Sequence, residues 1–263
     1  MCASARRMWN MLSKKFLIMS NNPKTTDSHC LETADTNGLP EVDYPAPPQG
    51  ICCIGITGGI GSGKSYICAQ LEAAGHQVFY CDDEAKKIIR TDPVVRQQLT
   101  DIVGPALYDH EGHLVKSVLA AYLCQGRSHA QRIDRVVHPR VAQAFANRAQ
   151  ALAAEAVSKP LADGACLSQP FNAHAGSPVA IDVETLRKLP TSHTLFMECA
   201  LLFEASFDRL VHHSVLVHVS TETQTARLMA RDGISRAKAE EWMSLQLSET
   251  DKMARANAYI CNE

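Results

Sequence analysis

The chain of 263 residues is 46% hydrophobic, enough to bury a substantial core in one globular unit with insertions. Lys and Arg total 26 against 28 for Asp and Glu, a formal net charge of -2. This excludes a basic nucleic-acid footprint over the whole molecule and suits small anionic ligands. No apolar stretch approaches the roughly 18 residues of a membrane span. The ten cysteines show no C-x-x-C pair, and Cys52, Cys53, Cys68, Cys81 and Cys199 fall inside apolar segments. They read as reduced, buried thiols in a reducing compartment. The expectation is a soluble cytoplasmic protein with neither membrane nor nucleic acid as partner.

Residues 1–20 carry Arg6, Arg7, Lys14 and Lys15 with no acid before Asp27, and residues 21–49 are polar and end in the proline-rich YPAPPQG. Residues 1–49 are therefore expected to be a disordered extension and linker, with the folded domain, 50–263, starting near Gly50. The apolar, β-branched run Ile51 to Thr57 reads as a strand. It leads directly into Gly58 to Ser65, GGIGSGKS, which fits G-x-x-x-x-G-K-[S/T] at every fixed position. A loop that wraps a phosphate chain must turn tightly and aim successive N–H groups inward, which side chains would obstruct. Lys64 would reach the β and γ phosphates, and the Ser65 hydroxyl would hold Mg2+. The helix opening there would turn its positive end to the anion. Ile67, Leu71 and Ala74 follow at helical spacing, with Gly75 as the stop.

The next apolar segment, Gln77 to Cys81, completes a βαβ unit and so demands a parallel sheet with helices on its faces. Pro93 to Val157 is helical in pattern, with turns at Gly104-Pro105 and Asp109 to Gly112 and with Pro139 interrupting a long helix. It reads as a helical subdomain inserted at 93–157. Residues 158–190 read as a loop insertion with a short helix near Val183 to Lys188. Ser192 to Cys199, Ser214 to Ser220 and Ala258 to Cys261 supply further strands.

A P-loop leaves several nucleotide enzymes open. Asp109 to Gly112 matches D-x-x-G of a GTPase switch, but no apolar strand precedes it and N-K-x-D is absent, so it reads as a turn. Asp82 ends the second strand, where a carboxylate can accept the proton of an attacking hydroxyl and hold it in line with the γ-phosphate. An N-cap for the helix from Glu84 to Arg90 explains the same residue equally well. Arg227 and Arg231, four apart on one helix, share a face from which both can reach a polyphosphate. A solvated face paired with Asp232 or Glu222 is the alternative.

Taken in order, GITGGIGSGKS, G-x-x-V-x-x-x-D followed by E-A-K, His138-Pro139, ALLFE and R-x-x-x-R-D resemble the dephospho-CoA kinase family from about Ile51 to Asn262. The resemblance implies a P-loop kinase-type parallel sheet flanked by helices, with a helical substrate subdomain and a helical lid over 221–247. It implies ATP and Mg2+ as cofactors and dephospho-CoA as the acceptor, phosphorylated on its ribose 3′-hydroxyl. By the same resemblance Gly59, Ile60, Gly61, Ser62, Gly63, Lys64, Ser65, Tyr66, Arg227 and Asn262 hold the nucleotide. Asp82, Lys64 and Arg231 act in catalysis, and His138 and Glu204 face the acceptor. Two departures stand out. Tyr80 occupies a position where the family often has a second acid, and the chain ends at Asn262-Glu263, which is expected to thin the adenine site or the sheet edge.

Overall fold

A computed structural model describes residues 44–159, 171 and 177–263. The expectations for residues 1–43, and for 160–176 apart from Phe171, lie outside the described residues. The centre of the molecule is a six-stranded sheet of β1 (Cys52–Thr57), β2 (Gln77–Tyr80), β3 (Val179–Ala180), β4 (Thr194–Glu198), β5 (His213–His218) and β6 (Ala258–Cys261), ordered β2-β4-β1-β5-β6-β3. Every neighbouring pair is parallel, as the βαβ signal demanded. Both faces are covered by protein, so β1 and β4 are buried at every residue, the continuous apolar pattern of a sheet with helices on both sides.

Cys52, Ile54 and Ile56 pack on one face against Ile67, Cys68 and Leu71 of α1 (Lys64–Ala73), which crosses over from β1 to β2. Cys53 turns to the other face. There lie α2 (Cys81–Thr91), α3 (Pro93–Val103), α4 (Lys116–Leu123) and α5 (Arg127–Ala156), the last three within the expected helical insertion at 93–157. Asp92 starts α3 cleanly, its Oδ1 accepting from the N–H groups of Val94 at 2.9 Å and Val95 at 3.1 Å, with Pro93 following as a preorganised first residue.

Three expectations need correction. First, α5 runs unbroken for 30 residues through Pro139. An internal proline costs about 3 kcal/mol, but the buried stripe of Ile133, Val137, Val141, Phe145 and Leu152 returns about 1.5–3 kcal/mol per large side chain, so burial outweighs the lost hydrogen bond. Second, Cys81 opens α2 instead of closing the strand. Third, residues 44–49 are not a free linker. Tyr44 packs its ring edge on Phe207 at 5.6 Å, and Pro45 to Pro48 lie beside Phe145, Ala146, Ala149 and Leu210. Proline-rich chain loses little conformational entropy when it is seated this way.

The Asp109–Gly112 segment is a turn, closed by Asp109 Oδ1 accepting from the N–H groups of Glu111 and His113. Within the described part of 158–190 stand the edge strand β3 and the short helix α6 (Val183–Arg187). The chain then runs through β4 and β5 to α7 (Thr221–Asp232), α8 (Arg236–Ser244) and α9 (Glu249–Arg255) before β6. Leu228, Ala239 and Trp242 of α7 and α8 form their own small core with Ile60 of the P-loop. None of the described helices is long and apolar enough to cross a membrane.

Candidate active site

In an open parallel sheet the ligand crevice lies beyond the carboxyl ends of the strands where strand order reverses. Here β1 is flanked by β4 and β5, and the P-loop leaves its carboxyl end. Gly63 holds the last loop position at φ 92°, in the left-handed region, so the first N–H groups of α1 are free to face an anion. Crowding reinforces the demand for glycine there, because a Cβ would stand 2.2 Å from Asn262 Nδ2. That amide donates to Ser62 O at 2.9 Å, and Arg227 donates to Asn262 O at 2.8 Å. The tip of the loop is held from α7 and from the segment after α8: Gln224 Nε2 donates to Ile60 O at 2.7 Å, and Ile60 N donates to Gln246 Oε1 at 2.8 Å.

Lys64 is buried and folds back over the loop, its Nζ donating to Gly58 O at 2.9 Å and Gly59 O at 3.2 Å. It borders a cleft of about 620 Å³ that is also lined by Ile60, Gly61, Gly63, Ser65, Asp82, Glu198, Arg227, Arg231 and Gln246. Most of the residues expected from the sequence therefore converge. Gly59 and Ser62 lie within the loop and offer their carbonyls to Lys64 and Asn262, Asn262 supports the loop from β6's end, and Ile60 contributes through packing with its N–H already engaged. Tyr66 stands apart, its residue surface 64% exposed. Arg231 lines the cleft while its guanidinium is held by Asp232 at 2.6 Å, an exposed pair of the kind worth at most about 1 kcal/mol.

Asp82 sits in the first turn of α2, whose N-cap is Tyr80 with no side-chain capping bond. The N-cap explanation of Asp82 thus falls. Its carboxyl faces Glu198, which ends β4 next to β1. Burial and the Glu198 charge push Asp82 up to about 7, against the pull of the Lys86 and Lys64 ammonium groups. Burial likewise raises Glu198, with Lys64 opposing it. Sequence reading missed Glu198, although an acid closing an otherwise apolar strand beside the P-loop strand was its signal. Gln224 and Gln246 were missed too. Gln224 lies one turn before the buried Leu228 of α7, so a polar residue on an apolar stripe was the available clue.

As possible metal donors, the exposed Ser65 hydroxyl and the Asp82 and Glu198 carboxylates border the same cleft. This all-oxygen set fits Mg2+, which keeps several waters and takes its remaining ligands from substrate phosphates. Among the described residues no cluster of three or more His, Cys, Asp or Glu forms a cage by itself.

Asp82 also lines a second, narrow pocket of about 60 Å³ between the sheet and the helical subdomain. Its walls are Ile89, Leu119, Leu123, Val141, Leu201 and Phe207, with Lys86, Lys116 and His138 as polar members. Burial lowers His138 to about 4, so the ring is neutral near pH 7. It meets Phe207 edge-on at 5.5 Å, and its 3.6 Å approach to Asp134 Oδ1 is too long for a hydrogen bond.

Glu204 does not join this pocket. Its side chain is 1% exposed, 3.5 Å from the equally buried Lys252 Nζ, and Oε1 accepts from Leu247 N at 3.0 Å. A buried cation in the core, rather than a ligand, explains why the carboxylate turns inward.

The family model described as dephospho-CoA kinase matches residues 52–161 and 180–263. The dephospho-CoA kinase of Bacteroides fragilis is 31% identical over 210 residues, spanning 80% of this chain and 84% of that protein. That of Salinibacter ruber is 30% identical over 210 residues, spanning 80% of this chain and 88% of its own. Among solved structures, TT1252 from Thermus thermophilus aligns with a TM-score of 0.55 at 26% identity, over 81% of this chain and 89% of that one.

Proposed function

The chain belongs to the dephospho-CoA kinase family, and from that premise we propose which of its residues carry out the family's reaction. The protein is an ATP-dependent kinase that phosphorylates the ribose 3′-hydroxyl of dephospho-CoA, giving coenzyme A and ADP in the last step of coenzyme A synthesis. The triphosphate lies in the P-loop cleft, where the backbone N–H groups opening α1 and the Lys64 ammonium offset its charge. Lys64 exchanges its bonds to the Gly58 and Gly59 carbonyls for phosphate oxygens. Mg2+ bound at Ser65 would add charge neutralisation on the β and γ phosphates.

The acceptor enters from the second pocket, its apolar parts against Leu119, Leu123 and Phe207 and its anionic parts toward Lys86 and Lys116. Asp82 takes the proton from the ribose hydroxyl as the oxygen bonds to the γ-phosphorus and the bond to the β-phosphate oxygen breaks. Arg227 and Arg231 offset charge on the transferred group when the lid closes. Burial, reinforced by Glu198, keeps the Asp82 carboxyl basic enough to accept a proton near neutral pH.

One observation carries this assignment of roles: Asp82 is the acid shared by the phosphate cleft and the acceptor pocket. The test is ADP release coupled to NADH oxidation, with ATP and dephospho-CoA, with ATP and a nucleoside, and with ATP alone. Turnover that requires dephospho-CoA, with the new phosphate located at the 3′ position by phosphorus NMR, is the expected result. Equal turnover with nucleosides would refute it.

A further inference from the structure

Three rings form a line from the surface to the acceptor pocket. Tyr44 meets Phe207 edge-on at 5.6 Å and 77°, and Phe207 meets His138 edge-on at 5.5 Å and 65°. Phe207 and His138 line the acceptor pocket directly, and Tyr44 does not. Phe207 is 2% exposed and sits in a single turn of 3-10 helix, Phe207–Leu210. The residue before it, Ser206, is held in the left-handed region at φ 57°. The Phe207 and Asp208 N–H groups donate to Leu202 O at 2.8 and 3.2 Å, which fixes the turn's backbone and leaves the ring's position to what packs behind it. Behind it stands Tyr44, close enough to the Cys199 sulfur, another member of the pocket wall, that burial and this neighbour together raise the phenol.

Tyr44 is itself anchored. The residues that follow it, Pro45 to Pro48, lie along Phe145, Ala146 and Ala149 of α5 and Leu210 of the turn. The segment thus bridges the long helix that carries His138 and the turn that carries Phe207. It precedes residue 52, where the family match begins, so it is a feature of this chain rather than part of the matched domain.

We propose that Tyr44 is a positioning residue for the acceptor: its ring backs Phe207 and so sets the width of the pocket that takes dephospho-CoA, without touching the substrate. The proposal rests on the assignment of that pocket to the acceptor. It makes the YPAPP segment the rear wall of the substrate site, where composition alone reads as linker. Loss of one edge-to-face ring contact is the effect to be measured, and it corresponds to about a 3- to 10-fold change in an equilibrium constant.

Full-length Tyr44→Ala and Tyr44→Phe are compared with the parental enzyme. Tyr44→Ala is expected to raise KM for dephospho-CoA by about 3- to 10-fold, with KM for ATP and kcat near parental. Tyr44→Phe keeps the ring edge and should restore the parental KM. Calorimetric titration of each variant with ATP and with dephospho-CoA separates acceptor binding from folding, since ATP affinity holds if only the pocket is affected. Unchanged KM for dephospho-CoA in Tyr44→Ala would overturn the proposal, as would equal weakening of ATP and acceptor or a Phe variant no better than Ala. A parental enzyme that fails to phosphorylate dephospho-CoA would instead overturn the pocket assignment, and that outcome is visible before any variant is compared.

Discussion

Asp82→Asn separates function from folding because the structure assigns the carboxyl no structural partner that an amide cannot replace. It caps nothing, and its environment opposes ionisation. Burial and Glu198 move it from 3.8 to about 7, which at 1.36 kcal/mol per pH unit corresponds to about 4 kcal/mol. The cleft admits solvent, so roughly 1–3 kcal/mol is the working figure. The unfolded chain releases this proton near 3.8 and the native enzyme near 7. The native state therefore holds an extra proton between those values, and its stability falls as pH rises through that window. Asn removes the cost. At pH 8 the variant should melt about 2–12 °C above the parent, at 2–4 °C per kcal/mol, and the gap should close as pH falls below 3.8. Turnover with dephospho-CoA should fall on the order of 100-fold or more, and the rise of kcat/KM with pH through about 7 should flatten. The assays are differential scanning calorimetry across pH and coupled ADP release. A variant with parental kcat, or one that melts lower at pH 8, would show that Asp82 is neither the base nor a strained buried acid.

Three further outcomes follow from named contacts. Lys64→Ala should lose on the order of 100-fold or more in kcat while keeping its far-UV circular dichroism, because the ammonium it removes is the charge the P-loop offers to the phosphates; near-parental turnover would refute the phosphate site. Arg231→Ala should lower kcat about 10- to 100-fold with little change in KM for ATP, since its resting pair with Asp232 is exposed and weak; a rise in KM alone would assign it to ground-state binding. Glu204→Ala should leave Lys252 buried without its counter-charge and cost about 3–5 kcal/mol, read as a fall in melting temperature; a selective rise in KM for dephospho-CoA would return Glu204 to the acceptor.

The parts of the site legible in the sequence are those where chemistry restricts residue type within a short span. Gly58 to Ser65 could be read because phosphate wrapping demands glycine, lysine and hydroxyl at fixed spacing. Asp82 could be placed because it follows the second strand closely, where a carboxylate can border the P-loop cleft. Whether it caps the helix needed the backbone, since a shift of two residues in the helix start moves the cap to Tyr80. Glu198, Gln224 and Gln246 belong to segments remote in sequence from the loop they border, so the local signal of an acid closing the apolar β4 did not by itself tie Glu198 to the P-loop. Glu204 shows the converse, where a matching motif located the residue and only packing against Lys252 showed which way it turns. Tyr44 was hidden for a third reason. A proline-rich stretch looks the same whether it hangs in solvent or lies on a helix 100 residues away in sequence.

The tyrosine at position 80 gains a physical account from the sheet register. Tyr80 pairs with Glu198 across β2 and β4, two residues before Asp82. An acid there would stand beside Glu198 and place a further carboxylate near the same cleft, raising Asp82 further unless a cation were added. Tyr80 instead sends its hydroxyl to Glu72 on α1 at 2.8 Å and packs its ring with Val78 against the face of the sheet that α1 covers. Burial and the Glu72 bond keep the phenol protonated, so it adds no charge at neutral pH. The balance at the site is then burial, Glu198 and the more exposed Asp83 against Lys86 and Lys64, which leaves Asp82 near 7, the range in which a carboxylate can both ionise and accept a hydroxyl proton.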